Sequence, residues 1–569
     1  MPQITINGQP VEFQPGEVIM KAANRVALDI PQYCYHDGLS IVASCRICLA
    51  EVWMSNKQTG KLEPYMGGKL LPTCQTTATE GMVVYTDSPK AVANQKAVME
   101  YLLINHPLDC PVCDQAGECF LQDYSYEYGR GQSRFEETKV KQPKKDLGPN
   151  IYLYSDRCIM CTRCVRFTRE VTGTAELLVS GRGNREEIDV FPGNPIDNEL
   201  SANVADLCPV GALLDKDFLF AQRVWFLKET PSIDGITASG DNLTIHHNDG
   251  KIYRVKPRTN LAVNKWWITD EVRYGWKFAH REDRLAAPMR KQFGVAVATD
   301  FERACREVAE GMRKAAGAGK RAAVIVSPML SCEEAFVLGQ FVQSVDPQAF
   351  LAVGAVPFHG QDKTFPPGDA NGFKLYAEKA PNARGVRRVL EALSRRSPHN
   401  GYVATFEQIQ TQLANNEIGG VLVTGNYPSD WSTPEFIAAL RGKFVAVIDT
   451  LPSAITERAD VLLPGATWAE KAGTFENARH MLQAFEAAIP VRDGARSEGQ
   501  LAFDLQAEAR PALTTTALGA DITPSELFNA AAIRARMAAF APELGVFVSE
   551  VSMPVAALQQ EPEMQVVEV

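Results

Sequence analysis

Cys158-Ile159-Met160-Cys161-Thr162-Arg163-Cys164, completed by Cys208-Pro209 after 43 further residues, is the stretch around which this 569-residue chain is organised. Three cysteines at two-residue intervals make a tight ligand loop. The remote Cys-Pro pair returns a fourth sulfur to the same place. Four clustered cysteines can hold an iron–sulfur cubane or a tetrahedral zinc. The repeated two-residue spacing suits the cubane better.

The spacing is half of the pattern of bacterial two-cluster ferredoxins, in which the fourth cysteine of one run serves the cluster of the other. The ligands of a second cluster would fall at Thr168, Asn198, Ser201 and Val204, none of them a usual ligand for iron. One [4Fe–4S] site is therefore expected here, on Cys158, Cys161, Cys164 and Cys208.

Eleven of the 13 cysteines precede residue 209, and only Cys305 and Cys332 follow. A disulfide framework belongs to short, loop-rich secreted chains, so clustered cysteines in a long chain point to metal. The net charge of −10 argues against nucleic acid or an anionic membrane surface as partner. No run approaches a membrane span. The opening residues show no signal or transit pattern. The length predicts roughly three to five domains.

Along residues 1–87, Ile4, Ile6, Val11 and Phe13 alternate about an Asn7-Gly8 turn, which predicts a hairpin. A helix is expected over 17–28. Cys34, Cys45, Cys48 and Cys74 follow at spacings of ten, two and 25 residues. Plant-type ferredoxins space their ligands by four, then two, then a remote cysteine. The first gap is longer here, but the order predicts a [2Fe–2S] site. Zinc with His36 as a spare ligand is the alternative; His36 reads better as a polar neighbour.

Residues 88–105 predict a helix capped by Ser88, with Pro89 at its first position and Val92, Val98, Leu102 and Leu103 on its apolar face. It delivers His106, Cys110, Cys113 and Cys119, four ligands within 14 residues. Zinc also takes one His and three Cys. The iron–sulfur signatures on either side favour a second [4Fe–4S] site. Residues 123–147 read as a polar surface connector. Arg157, Arg163, Arg166 and Arg169 flank the opening motif, either offsetting cluster charge or solvating a loop.

These three signatures in this order resemble the large iron–sulfur subunit family of respiratory NADH:quinone oxidoreductase, complex I. [FeFe]-hydrogenases and NAD-linked formate dehydrogenases and hydrogenases share the set. The resemblance implies a ferredoxin-type domain over 1–87, a domain with one His and three Cys ligands over 88–127, and a bacterial ferredoxin-like domain over 128–222. Many relatives then carry a fourth cluster, whose ligand positions here are Asp234, Thr237, Asp241 and Thr269. The frame over 223–290 survives with all four cysteines gone. The competing reading is an unrelated strand-rich linker.

Residues 291–569 alternate amphipathic helices such as 301–315 with buried strands in AAVIVSPM, GGVLVTGNYPSD and KFVAVIDTLPSA, predicting α/β with a parallel sheet. Asp460–Pro464 and Glu470–Arg479 resemble the molybdopterin oxidoreductase fold, whose active members line a pterin with such a stretch. No convincing molybdenum ligand is found, so an inherited scaffold without molybdenum is expected. Residues 315–321 mimic a P-loop but hold Lys314 and Arg321 where it needs Gly and Ser or Thr. His246 and His247 are expected to be solvated in a hairpin, Cys305 and Cys332 to be buried apolar groups, and the acidic tail 556–569 to be loose.

The fold class expected is thus multidomain: α+β ferredoxin-like iron–sulfur domains followed by an α/β molybdopterin-oxidoreductase-like domain. The resemblance implies an electron relay without a substrate site of its own. Its partners would be the flavin/NADH-binding subunit and downstream iron–sulfur and quinone-module subunits, on the cytoplasmic face of the bacterial inner membrane. The alternatives are the electron-input part of a soluble hydrogenase or formate dehydrogenase, and a zinc-stapled scaffold without redox activity.

Overall fold

The computed structural model describes residues 2–56, 59–317, 319–509 and 527–554, so the tail at 556–569 lies outside the described residues. The chain divides into two units, Met1–Leu227 with Thr364–Gly372, and Lys228–Lys363 with Phe373–Val569.

The first unit begins as expected. Strands Gln3–Ile6 and Gln9–Glu12 pair antiparallel about Asn7 and Gly8, both in the left-handed region at φ 47° and 82°. Only a turn tolerating positive φ at both positions matches the twist of the strands. Ile4, Ile6, Val11 and Phe13 all point into the core. Strand Gln3–Ile6 also pairs parallel with Val83–Tyr85, which pairs antiparallel with Leu49–Ser55. Helix Ile19–Arg25 packs its buried face on this sheet.

Helix Pro89–Leu103 starts at Ser88, whose side chain accepts from the Ala91 amide at 3.3 Å. Its buried residues are Ala91, Gln95 and Met99, and the expected Val92, Val98, Leu102 and Leu103 are half-buried. Gln95 faces inward because its amide donates to the Thr86 carbonyl. The expected surface connector is helical at its start, over Phe120–Tyr128, where Tyr124 stacks edge-on against Tyr33 and Tyr128. Strands Lys144–Asp146, Ile151–Tyr154 and Leu213–Asp215 form a small antiparallel sheet. The third cysteine loop and helix Arg163–Glu170 hang from it.

The second unit opens with an antiparallel sheet of Lys228–Ile233, Asn242–Asn248 and Lys251–Pro257. A seven-stranded sheet follows. Its five central strands, Val461–Pro464, Phe444–Asp449, Ile418–Thr424, Arg321–Val326 and Phe350–Val353, run parallel. Every residue of Ile418–Thr424 is buried, as a strand covered on both faces requires. Helix Phe301–Ala315 has the predicted bounds, and Cys305 and Cys332 are fully buried.

The predicted hairpin holds His246 and His247, but His246 is buried rather than solvated. Its imidazole is kept neutral by desolvation and lies 3.6 Å from Glu229. A buried bidentate pair, Arg284 to Glu470 at 2.9 and 2.8 Å, ties residue 284 to the turn at Thr467–Glu470. Glu470 also accepts from the Thr467 amide and hydroxyl. Removing one partner of such a pair strands a buried charge. Glu470→Gln should therefore destabilise the second unit by about 3–5 kcal/mol, read as a lowered unfolding midpoint in denaturant. An unchanged midpoint would show that the pair contributes nothing net.

Candidate metal centres

All 13 cysteines are free thiols, and eleven of them, with His106, fall into the three sets expected. In the first set Cys34, Cys48 and Cys74 are buried and Cys45 is half-buried. The sulfurs hydrogen-bond in couples, Cys34 with Cys45 and Cys48 with Cys74. That contact pulls Cys34 and Cys48 down and pushes Cys45 and Cys74 up. The ligand loop turns through Ala43 and Arg46 at φ 50° and 60°. Asn94 braces it by donating to the Arg46 carbonyl at 2.9 Å, so the helix after the ferredoxin-type sheet also holds the loop. His36 is a polar neighbour. Its Nδ1 accepts from the Gly38 amide, and burial, with Arg163 and Arg166 nearby, drops its pKa to about 3.

In the second set His106, Cys110, Cys113 and Cys119 line one pocket with Asp109, Gln122, Arg157 and Gly211. Burial, then Arg157 and Lys139, lowers His106 to about 4, leaving a neutral imidazole able to bind a metal. Amides of Leu121 and Gln122, at the N-terminus of helix Phe120–Tyr128, point toward the Cys119 sulfur. Arg223 donates to the carbonyls of Cys110, Pro111 and Cys113 at 3.0–3.2 Å and fixes the loop.

In the third set Cys158, Cys161, Cys164 and Cys208 line a pocket otherwise walled by apolar side chains, among them Leu153, Ile159, Ile188 and Leu213. Burial raises every thiol, Cys158 to about 12 and Cys161 to about 11. Met160 and Thr162, at φ 51° and 58°, turn the loop so that backbone amides face inward. The Met160 amide donates to Cys158 at 3.4 Å, the Arg163 amide reaches Cys161, and amides of Val210, Ala212 and Leu213 reach Cys208. Concave rows of N–H groups of this kind receive anions and iron–sulfur groups. Strained φ at non-glycine residues is the signature of a functional loop.

The donor chemistry fits iron–sulfur clusters: soft sulfurs and one neutral imidazole, amides directed at the sulfurs, and little else polar within reach. Among the described residues no group of three or more His, Cys, Asp or Glu side chains is arranged to hold a metal ion. Each set instead surrounds a volume, as a cluster with one ligand per metal atom needs.

Sequence reasoning missed three features. Gly211 lies so close to the second set that a Cβ there would sit 2.2 Å from the Cys113 sulfur. The same loop carries Cys208, and the Phe120 amide donates to the Pro209 carbonyl at 3.1 Å, so the loop serves both sets. Arg157, Arg163 and Arg166 are buried while Arg169 is exposed, so the first three face the cysteines and the fourth is solvated. No spacing rule singles these out, because their partners are carbonyls distant in sequence.

At the fourth frame Asp234 accepts from the amides of Ile236 and Thr237 and from Thr237 and Ser239 hydroxyls, and Thr269 caps helix Asp270–Tyr274 through the Val272 amide. Oxygen hydrogen bonds now close the loop at positions where a cluster would need thiolates.

Family models match in register with these sites. A 2Fe-2S iron-sulfur cluster binding domain matches residues 2–89. An NADH-ubiquinone oxidoreductase-G iron-sulfur binding region matches 95–134, and the ferredoxin-like domain of NADH-quinone oxidoreductase subunit 3 matches 148–214. The chain is a relative of the NuoG-type iron–sulfur subunits of NADH-quinone oxidoreductase. The NuoG-type subunit of Rickettsia bellii is 35% identical over 345 residues, covering 61% of this chain and 48% of the relative. The mitochondrial NADH dehydrogenase [ubiquinone] iron-sulfur protein 1 of Solanum tuberosum is 43% identical over 287 residues, covering 50% and 37%. The chain thus spans about half or less of the length of these relatives. A solved NAD+-reducing [NiFe]-hydrogenase is 25% identical, covering 39% of this chain and 91% of that one at a TM-score of 0.33.

The NuoG-type relationship extends into the second unit. An NDSU1/NuoG-like 4Fe-4S domain matches 227–277, where this chain has no cysteine, and a molybdopterin oxidoreductase model matches 398–507. The fold is therefore 2Fe–2S and 4Fe–4S ferredoxin-like domains followed by a molybdopterin-oxidoreductase-type α/β domain. Gly211→Ala is expected to displace Cys113 and lower the iron content of chain isolated without air. Iron equal to that of the unsubstituted chain would show that the Cys113 loop yields instead.

Proposed function

We propose that this chain is the electron-transfer subunit of a proton-pumping NADH:quinone oxidoreductase, relaying single electrons from the NADH/flavin module toward quinone. The carrying observation is that twelve side chains, eleven cysteines and His106, gather into three sets within one unit. On this reading Cys34, Cys45, Cys48 and Cys74 hold a [2Fe–2S] cluster. His106, Cys110, Cys113 and Cys119 hold one [4Fe–4S] cluster, and Cys158, Cys161, Cys164 and Cys208 the other. The domains run 1–87, 88–127 and 128–222, followed by a clusterless frame over 223–290 and an α/β scaffold over 291–569.

The clusters supply one-electron redox chemistry; the protein supplies position, burial and hydrogen bonds. The third set lies between the other two by its contacts. Arg163 and Arg166 tie its loop to Tyr35 and Cys34, and Gly211 and Arg157 tie it to the pocket of the second. That supports transfer from the [2Fe–2S] centre through the all-cysteine [4Fe–4S] centre to the His-containing one.

Exposed apolar residues mark the two ends. Ile41 and Val42 flank the first ligand loop, and Leu108, 88% exposed, and Val112 flank the half-exposed second set. Apolar side chains left exposed together fit protein contacts. They suit a flavin-bearing subunit at the first end and a downstream iron–sulfur subunit at the second. No helix among the described residues is long and apolar enough to cross a membrane, which is compatible with a peripheral place on the cytoplasmic face of the bacterial inner membrane.

Around Glu470–Arg479 the charged side chains are matched within the protein itself. Lys471 pairs with Glu334 and Glu498, and Glu476 with Arg388. That supports a scaffold without molybdenum.

Metal analysis of protein isolated without air should give about ten irons per chain, the content of one two-iron and two four-iron clusters, with no stoichiometric molybdenum. About three zincs instead would overturn the reading. Cys208→Ala should abolish one [4Fe–4S] EPR signal and spare the [2Fe–2S] signal. Retention of every signal would refute the assignment of Cys208 as a ligand.

A further inference from the structure

Two buried guanidiniums lie between the first and third cysteine sets. Arg163 and Arg166 sit one turn apart on helix Arg163–Glu170, 6% and 8% exposed. Arg163 donates to the carbonyls of Tyr35 and Leu207 at 2.5 and 3.4 Å. Arg166 donates through Nη1 to the Ser40 carbonyl. Its Nη2 reaches the carbonyl of Cys34 at 2.5 Å and that of Cys161 at 3.4 Å. One nitrogen thus touches a candidate ligand residue of each set.

Neither arginine pairs with a carboxylate among the described residues, and the Nε of each has no hydrogen-bond partner. The neighbouring acids are engaged elsewhere: Glu170 accepts from the Ser40 amide and hydroxyl, and Asp37 from the Tyr35 hydroxyl. A buried charge without a partner costs several kcal/mol, whereas Arg157, the third buried arginine, has Asp109 at 2.9 Å. The structure therefore supplies two interior cations whose only nearby source of negative charge is the thiolate sets on either side. Cys161, Cys208 and Cys34 all act on Arg163 in that sense.

We propose that Arg163 and Arg166 are positioning residues shared by the first and third clusters, serving as counter-charge to both and joining their ligand loops into one electron-transfer pair. This rests on the cluster assignment above. An all-cysteine cluster is anionic, and its charge grows by one on reduction. A fixed cation in a low-dielectric interior favours the reduced state, so each arginine holds both potentials up. Arg157 plays no part in this pair, since its pocket is that of the second set.

The test is an EPR-monitored redox titration of the full chain isolated without air. In Arg163→Gln and Arg166→Gln the midpoints of both the [2Fe–2S] and the all-cysteine [4Fe–4S] signals should shift negative, while the His-containing centre stays within error. Arg163→Lys and Arg166→Lys, which keep the charge, should restore both midpoints. A shift of one midpoint alone, of none, or an equal shift with Lys and Gln would overturn the proposal. If the Gln chains lose iron, the Lys chains decide: unmoved midpoints support the shared charge, and a fall of both rejects it. Absence of iron signals from the unsubstituted chain would instead sink the underlying functional reading.

Discussion

Burying several cysteine sulfurs side by side is the constraint on which the first unit depends. Desolvation holds each thiol of the third set in its neutral form, well above its ordinary titration range. Ionising four of them together in that pocket is tolerable only if cations enter with the charge. Iron supplies those cations, inward-facing amides add to their effect, and the strained turns at Met160 and Thr162 exist to aim the amides. The spacing of the cysteines, the left-handed backbone between them and the apolar wall around them are one solution to one electrostatic problem.

The second unit shows the same problem removed. Where relatives place cysteines, Asp234, Thr237 and Ser239 close a loop of oxygen hydrogen bonds, and Thr269 caps a helix. Along Glu470–Arg479 the buried charges find partners inside the fold, as Lys471 does with two glutamates. An α/β sheet built for a ligand can persist as a scaffold when its polar groups are re-partnered in this way, because its strands are held by apolar burial on both faces.

Much of this was legible in the sequence, for a physical reason. Ligand sets are written in residue identity and spacing, so eleven cysteines and His106 could be sorted into three groups before any coordinates. The Asn7-Gly8 turn and the helix at 301–315 are equally local. What the sequence concealed depends on distant partners. Gly211 is required by a sulfur 98 positions earlier. The helix after Ser88 turns Gln95 inward because a carbonyl on the preceding segment receives its amide, so its buried face differs from the apolar one. Tyr124 and Tyr128 make a helix of a stretch that composition marked as a connector. His246 looks solvated until the sheet that covers it is present.

The count of electrons taken up by the chain is the most direct measure of the account. Reductive titration without air, followed optically and by EPR, should consume about three electrons per chain, one for each one-electron centre. Uptake near zero from a fully folded chain would contradict it, since sulfurs gripping redox-inert metal accept none.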